Sequence, residues 1–224
     1  MTAITHSRSL VSGDVLVMGV SPQQDGAPVH GARGKLGRWL SDSIDRLSFD
    51  AGKDSVATIP APSWSNYQTV VLVGVSPSQP TTSATRYAAG TACRSLSGDV
   101  VIHIPTKNTA DATAIAEGAL LGATKTMNRK SGDGAPPVAS ITVVSRHVPN
   151  FAAIRPGVDA VALVRDLVTE APNVLSPDEL ARRVVELSKG QNLAVEVLDE
   201  KALERGGYGG ILGIGAGSSR PPRL

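Results

Sequence analysis

The chain has 224 residues, of which 41% are hydrophobic and only 3% aromatic, and its formal net charge is +2. This composition excludes a disordered chain and predicts a core made of Val, Leu, Ile and Ala. The length fits one large domain, or one domain plus part of a second. The small surplus of positive charge does not support nucleic acid or an anionic membrane as the main partner.

The single cysteine, Cys93, can form neither an internal disulfide nor a thiolate metal site by itself, and we predict a small buried side chain. The first ten residues contain no signal-peptide core. No stretch approaches the roughly 20 apolar residues of a membrane helix. We therefore expect a cytoplasmic protein.

Strand and helix patterns alternate through the first part of the chain. Apolar runs predict strands at Gly13–Val20, Val56–Ile59, Thr69–Val75, Asp99–Pro105 and Val138–Ser145. Helical spacing predicts helices at Ala32–Phe49, Ser83–Leu96 and Thr109–Thr124. The alternation predicts an α/β fold with a largely parallel sheet.

The pattern changes near Pro149. Gly157–Pro172 has a broad apolar helical face and predicts a helix leaving the first domain. Leu193–Asp199 predicts a strand, and the residues from Glu200 to Gly207 predict a short helix.

Capping signals delimit one further helix between these elements. Ser176 can accept a hydrogen bond as its N-cap, Pro177 suits the first helical position, and Glu179 completes the spacing of a capping box. Gly190 is placed to end this helix.

The chain ends in a glycine-rich stretch from Gly206 to Leu224. A dinucleotide loop needs G-x-G-x-x-G between a strand and a helix, but the third glycine position is occupied by Ser218 or Arg220, depending on the register. The stretch has no Gly-Lys pair, and no helix pattern follows it. A nucleotide loop is therefore not supported, and the glycines are interpreted as tight turns and close backbone approaches.

Three stretches, at Glu117–Ser131, Arg165–Pro177 and Gly209–Leu224, together resemble the leucyl aminopeptidase (cytosol aminopeptidase) family. Arg165–Val168 matches the start of the family's "RDLVN-x-P-x-N-x-L-x-P" stretch, and Asn173, Leu175 and Pro177 match its continuation. In the last stretch the matching residues are Gly209, Leu212, Gly215, Gly217, Ser218, Pro221, Pro222, Arg223 and Leu224. Glu117–Ser131 resembles a third family motif, "EG-x-x-LG-x-Y-x-F-x-x-Y-K". Departures from the family pattern occur at Thr124, Thr126, Arg129, Thr169, Ala171 and Tyr208.

The resemblance implies a two-domain peptidase that removes N-terminal amino acids, leucine preferred, from peptides and forms homo-hexamers. We place a macrodomain-like α/β domain, with a largely parallel mixed sheet flanked by helices, at residues 1–152. An interdomain helix follows at 153–171. Residues 172–224 are expected to be a truncated α/β segment, the beginning of the catalytic aminopeptidase domain. The first domain is expected to serve assembly and scaffolding.

The resemblance also implies two divalent metal ions, manganese or zinc, bound in the full-length enzyme by Asp and Glu carboxylates and one Lys. The family motifs "VGKG-x-TFD" and "NTDAEGR", which carry these ligands, do not occur here. We therefore expect no catalytic, cofactor-binding or metal-binding residues in this chain, with the ligands beyond Leu224. The 224-residue chain alone is expected to be inactive. We also expect Ser176–Leu224 to be poorly ordered or held only by the first domain.

Other polar residues give weak signals. Four histidines are scattered and form no H-E-x-x-H motif: His6, His30, His103 and His147. Three acidic residues share a predicted solvated helix face: Asp199, Glu200 and Glu204. Three basic residues form a patch that is either solvated surface or a contact for a polyanion or another subunit: Lys125, Arg129 and Lys130.

Two alternative functions stay open. A macrodomain-like fold can hold ADP-ribose or another nucleotide in a cleft at the carboxyl ends of its strands, here lined by the loops after Val20 and Val75. Neither loop is rich in glycine, so both are interpreted as ordinary polar loops. A DNA-binding accessory domain is the weaker alternative, because the chain is nearly neutral.

Overall fold

The computed structural model describes residues 2–22, 30–75, 81–125 and 136–224. The chain divides into two compact units, Met1–Val164 and Arg165–Leu224, which we call unit 1 and unit 2. The domain limits of 1–152, 153–171 and 172–224 stay a prediction. No helix in the described ranges is both long and apolar enough to cross a membrane.

Unit 1 contains a six-stranded sheet in the order β1-β6-β5-β2-β4-β3. Its strands are β1 (Ala3–Ser7), β2 (Val15–Val20), β3 (Val56–Pro60), β4 (Thr69–Gly74), β5 (Gly98–His103) and β6 (Val138–Val144). All neighbouring strands are parallel except β3, which is antiparallel to β4. The predicted α/β fold class and its largely parallel mixed sheet are confirmed.

Strand β1 was absent from the sequence prediction. It is a short edge strand whose five residues include Thr5, His6 and Ser7, so it lacks the continuous apolar run of a buried strand. It is a strand because it pairs in register with β6, from Ala3 opposite Ser140 to Ser7 opposite Val144. This pairing depends on a partner far along the chain, which local pattern does not reveal.

Helices cover both faces of the sheet. They are α1 (Gly34–Arg46), α2 (Thr82–Cys93), α3 (Thr109–Ala123) and α4 (Phe151–Thr169). One apolar cluster joins strand residues such as Val17 and Ile102 to Ile115 of α3 and Ile154 of α4. The other joins Leu16, Met18 and Leu72 to Leu40 and Ile44 of α1. Successive strand residues point to opposite faces, which explains why these strands are apolar throughout.

Helices α2 and α3 pack with their backbones in close approach. A methyl group built at Gly118 would collide with the carbonyl oxygen of Arg86, and one at Gly122 with that of Gly90. On the same pair of helices, the side chain of Arg86 forms an ion pair with Glu117 at 2.6 Å. The small residues of these helices therefore set the distance between them.

Unit 2 contains three helices after α4: α5 (Pro177–Ser188), α6 (Glu200–Arg205) and α7 (Gly209–Gly215). Ser176 caps α5 as predicted, since its hydroxyl accepts from the N–H of Glu179 at 3.3 Å. The Glu179 carboxylate instead accepts hydrogen bonds from Arg182 and Arg183 on the same helix. Gly190, with a φ of 75°, follows the end of α5 in a conformation that favours glycine.

Two predictions for unit 2 were wrong. Leu193–Asp199 forms no strand in this fully described unit. Leu198 exchanges backbone hydrogen bonds with Leu224, and the carbonyl of Asp199 accepts one from Leu203 of α6. A strand needs a neighbour along its length, and none is present here. The glycine-rich stretch was interpreted as turns, but Gly209–Gly215 is helical. Glycine has low intrinsic helix propensity, so its local pattern gave no helix signal.

Candidate functional site

The carboxyl edge of the sheet brings together polar residues that are far apart in sequence. His6 is the penultimate residue of β1, Ser145 follows β6, and His103 ends β5, so the parallel order places all three near the same edge. The imidazole Nε2 of His6 lies 2.9 Å from the carbonyl oxygen of Ser145. The hydroxyls of Thr106 and Ser145 lie 2.8 Å apart. We call His6, His30, His103, Thr106 and Ser145 the carboxyl-edge cluster.

Hydrogen bonds fix the tautomers of the two more buried histidines. Nδ1 of His103 lies 3.2 Å from the carbonyl oxygen of Val144, which can only accept, so Nδ1 carries the proton. In His30, Nδ1 accepts from the N–H of Ala32 at 3.2 Å. Nε2 of His30 therefore carries the proton and donates to the hydroxyl of Ser41 at 3.1 Å.

Both histidines are held in their neutral form at neutral pH. Burial lowers the pKa of His103, partly opposed by its hydrogen bond to Val144. Burial also lowers the pKa of His30, and the neighbouring His103 lowers it further. Two neutral imidazoles offer no positive charge to a phosphate, which weakens the case for an anion site here.

Asp111 is a buried carboxylate with structural partners. Its two oxygens accept from the hydroxyl of Thr82 at 3.0 Å and from the N–H of Lys107 at 2.9 Å. Its own N–H donates to Asn108, the N-cap of α3. Asp111 therefore joins the start of α2 to the start of α3, and these bonds satisfy both of its oxygens.

A small polar cavity lies near the end of β4. It encloses about 280 Å³ and is lined by residues that include Lys53, Gly74, Thr81, Ser83 and Tyr87. The ammonium of Lys53 lies 4.9 Å from the centre of the Tyr87 ring. This volume is below the roughly 300–1,000 Å³ typical of small-molecule sites. Most of the two loops predicted to line a nucleotide cleft, at 23–29 and 76–80, lies outside the described residues.

Unit 2 contains a larger, mostly apolar cavity of about 520 Å³. Its wall combines Leu180 and Val184 of α5 with Val195, Val197 and Leu224. Every residue of unit 2 is described, and Leu203 is the only one that is buried. A polypeptide of this length normally buries a core of several apolar side chains. Unit 2 therefore presents its apolar residues to solvent.

The residues singled out in the sequence do not converge on a catalytic arrangement. Asp199 caps α6 by accepting from Ala202 at 2.8 Å, and Glu200 lies 3.8 Å from the Arg223 guanidinium. Lys125 donates to the carbonyl of Arg94, whereas Arg129 and Lys130 lie outside the described residues. In the ranges that the structure covers, no group of three or more His, Cys, Asp or Glu could hold a metal ion.

Cys93 is fully buried in the core of unit 1, as predicted. Burial raises the pKa of its thiol to about 12. A thiol with this pKa is almost entirely protonated at neutral pH and is not a nucleophile.

The sequence treated the histidines as scattered, and their clustering was missed. His6 follows the alternating residues Ala3–Thr5, and His103 lies within the apolar run Asp99–Pro105, which was the available signal. That signal becomes informative only with the strand order, because β6 lies between β1 and β5.

Comparisons with known proteins give one consistent family. The family model of the cytosol aminopeptidase N-terminal domain matches residues 20–132. The model of the catalytic domain of the cytosol aminopeptidase family matches residues 162–224.

Curated relatives carry matching names. A probable cytosol aminopeptidase of Leifsonia xyli is 38% identical over 232 residues, covering 100% of this chain and 46% of the relative. A probable cytosol aminopeptidase of Streptomyces avermitilis is 36% identical, covering 100% of this chain and 50% of the relative. The chain thus spans about half the length of the curated relatives it matches.

Solved structures show the same fold. The bottromycin maturation enzyme BotP matches with a TM-score of 0.68 and 26% identity, over 95% of this chain and 45% of that protein. A mutant of tomato leucine aminopeptidase matches with a TM-score of 0.74 and 20% identity, over 100% of this chain and 50% of that protein. The tomato match supports the fold alone.

Proposed function

Because this chain belongs to the cytosol aminopeptidase family, we propose that it is the N-terminal part of a metal-dependent aminopeptidase. It comprises the α/β domain and the beginning of the catalytic domain. One observation carries this proposal: the catalytic-domain model of the family matches residues 162–224, while the chain covers only 46% of the Leifsonia xyli relative.

The proposed reaction is the removal of N-terminal amino acids, leucine preferred, from peptides in the cytoplasm. The resemblance of Arg165–Val168 and of the last stretch to the family motifs supports this substrate class. Two divalent ions, manganese or zinc, would polarise the scissile carbonyl and activate a water in the full-length enzyme.

The described residues of this chain do not fit such a dinuclear centre. No group of three or more potential ligands occurs among them, and His103 and Asp111 have structural hydrogen bonds. We therefore derive no catalytic step from this chain and assign the metal ligands to the part of the family's catalytic domain that follows the Leu224 position.

We propose that unit 1 serves assembly and scaffolding of the enzyme. The full-length enzyme is proposed to be a homo-hexamer. The internal hydrogen bonding of the carboxyl-edge cluster supports this structural role. His6 bonds to Ser145, His30 to Ser41 and His103 to Val144, so these polar groups have partners within unit 1.

A chimera tests the proposal. Leu224 is joined to the part of the Leifsonia xyli relative that follows the aligned region. We expect hydrolysis of leucine p-nitroanilide that depends on manganese or zinc, with the 224-residue chain alone as the inactive control. The intact relative is the positive control. A folded chimera without activity, beside an active relative, would contradict the proposal.

The binding-module alternative rests on the polar cavity near the end of β4, where Lys53 supplies a positive charge. Its volume of about 280 Å³ is small for ADP-ribose. Titration with ADP-ribose, followed by thermal unfolding, separates the alternatives. A saturable rise in Tm that is lost in Lys53→Ala would support the binding module.

A further inference from the structure

Unit 2 exposes apolar surface that a folded domain would cover. The exposed fractions are 69% for Leu193, 51% for Leu187, 54% for Leu224 and 42% for Val184. Since Leu203 is the only buried residue of this fully described unit, these side chains have no core of their own to enter. Val184 and Leu224 line the same cavity, and contiguous exposed apolar surface marks an interaction site.

The backbone beside this surface is also unpaired. In unit 2, all of which is described, the N–H groups of residues 192–197 donate no backbone hydrogen bond. Residues 193–197 belong to no helix or strand, and Leu198, just beyond them, exchanges bonds with Leu224, at 2.7 and 3.2 Å. An extended segment with free N–H and C=O groups is a template for the addition of a β-strand.

The cavity and the unpaired segment form one surface. Val195 and Val197 of the segment line the apolar cavity of about 520 Å³ together with Leu180 and Val184 of α5. A strand that bonds to residues 193–197 would also bring its alternate side chains over this cavity. Two charged residues also line the cavity, Glu196 and Arg223, and Arg223 already contacts Asp178 and Glu200.

We propose that this surface is the docking site for the remaining part of the catalytic domain, and that it binds that part even when it is supplied as a separate polypeptide. The inference rests on the proposed function. Two facts identify the occupant: residues 162–224 match the catalytic-domain model, and about half of each relative's length has no counterpart in this chain.

The predicted contact has two components. A strand of the partner pairs with residues 193–197 of this chain, and apolar side chains of the partner fill the cavity beside α5. A single negative charge at Val195, whose side chain is 38% exposed and lines the cavity, would have to be desolvated on binding. Val195→Asp is therefore the discriminating variant.

The test uses the purified 224-residue chain. The second polypeptide is the part of the Leifsonia xyli relative after the aligned region, produced separately or co-expressed where it does not stay soluble alone. Analytical ultracentrifugation gives the stoichiometry and affinity, and hydrogen exchange gives the protected amides. Val148→Asp is the matched control, because Val148 is 55% exposed and belongs to unit 1.

We expect a complex that contains equal numbers of the two chains, with new amide protection at residues 192–197. Val195→Asp should weaken binding at least about tenfold, while Val148→Asp should leave it unchanged. Three outcomes would overturn the inference. The two chains form no complex, the complex shows no protection at 192–197, or the protection comes from self-association of this chain. If the chimera is active but the two separate polypeptides do not bind each other, this inference is refuted and the proposed function stands. If the folded chimera is inactive, the proposed function is refuted.

Discussion

At the scale of single residues, His30 and His103 couple the stability of unit 1 to pH. Burial lowers the pKa of both side chains below the ordinary 6.5. As pH falls through 6.5, the unfolded chain binds protons that the folded chain excludes, so the free energy of unfolding decreases. Above 6.5 both states are neutral at these positions and this pH dependence disappears.

We predict that urea unfolding, followed by the fluorescence of Trp39 and Trp64, shows stability falling below about pH 6.5. Each excluded proton contributes at most about 1.4 kcal/mol per pH unit. His103→Gln should reduce this slope. A slope that is identical in the wild type and in His103→Gln would contradict the assignment.

Cys93 provides a second prediction at this scale. Its thiol is fully buried and has a pKa of about 12, so it should react with a disulfide reagent only when unit 1 opens. We expect labelling of the native chain to be at least about a thousandfold slower than labelling in urea. Because the chain has one cysteine, the measurement needs no variant. Native labelling at the unfolded rate would show that this core is not closed.

At the scale of elements, the close approach of α2 and α3 is set by glycine. Gly118→Ala places a methyl group against the carbonyl of Arg86, so we predict a loss of about 1–3 kcal/mol in the free energy of unfolding. Gly157→Ala is the control, because this α4 glycine has open space around it. It should be neutral or stabilising by up to about 1 kcal/mol. Equal effects of the two substitutions would contradict the packing argument.

Local sequence patterns predicted those elements whose own residues carry the signal, either an apolar run or capping residues. Strand β4 is apolar on both faces because it lies inside the sheet, and α5 begins at Ser176 and Pro177 because these residues satisfy its first turn. Strand β1 and the segment Leu193–Asp199 were misjudged for one reason. Whether an extended segment is a strand depends on a partner, and its own sequence does not contain that partner.

The candidate site was less predictable than the fold. The tautomers of His30 and His103 come from contacts with Ser41, Ala32 and Val144. Burial lowers the pKa of both side chains. The bond between His103 and Val144 follows from the pairing of β5 with β6, which local sequence does not reveal. The apolar surface of unit 2 was likewise hidden, since the stripe of α5 predicts burial but does not identify what covers it.

At the scale of the whole molecule, unit 1 and unit 2 differ in their internal burial. Unit 1 has two apolar clusters, one on each face of its sheet, whereas Leu203 is the only buried residue in the fully described unit 2. We predict that amides of β2 and β5 exchange slowly and that those of residues 192–197 exchange within the shortest labelling time. Protection at 192–197 equal to that of β2, in the monomeric chain, would contradict this prediction.

The central proposal is that this chain is part of a metal-dependent aminopeptidase and does not itself carry the catalytic centre. The most direct measurement is hydrolysis of leucine p-nitroanilide by the purified 224-residue chain with added manganese or zinc. The account predicts a rate no higher than that of the metal salts alone. Sustained turnover that requires both the chain and the metal would contradict it.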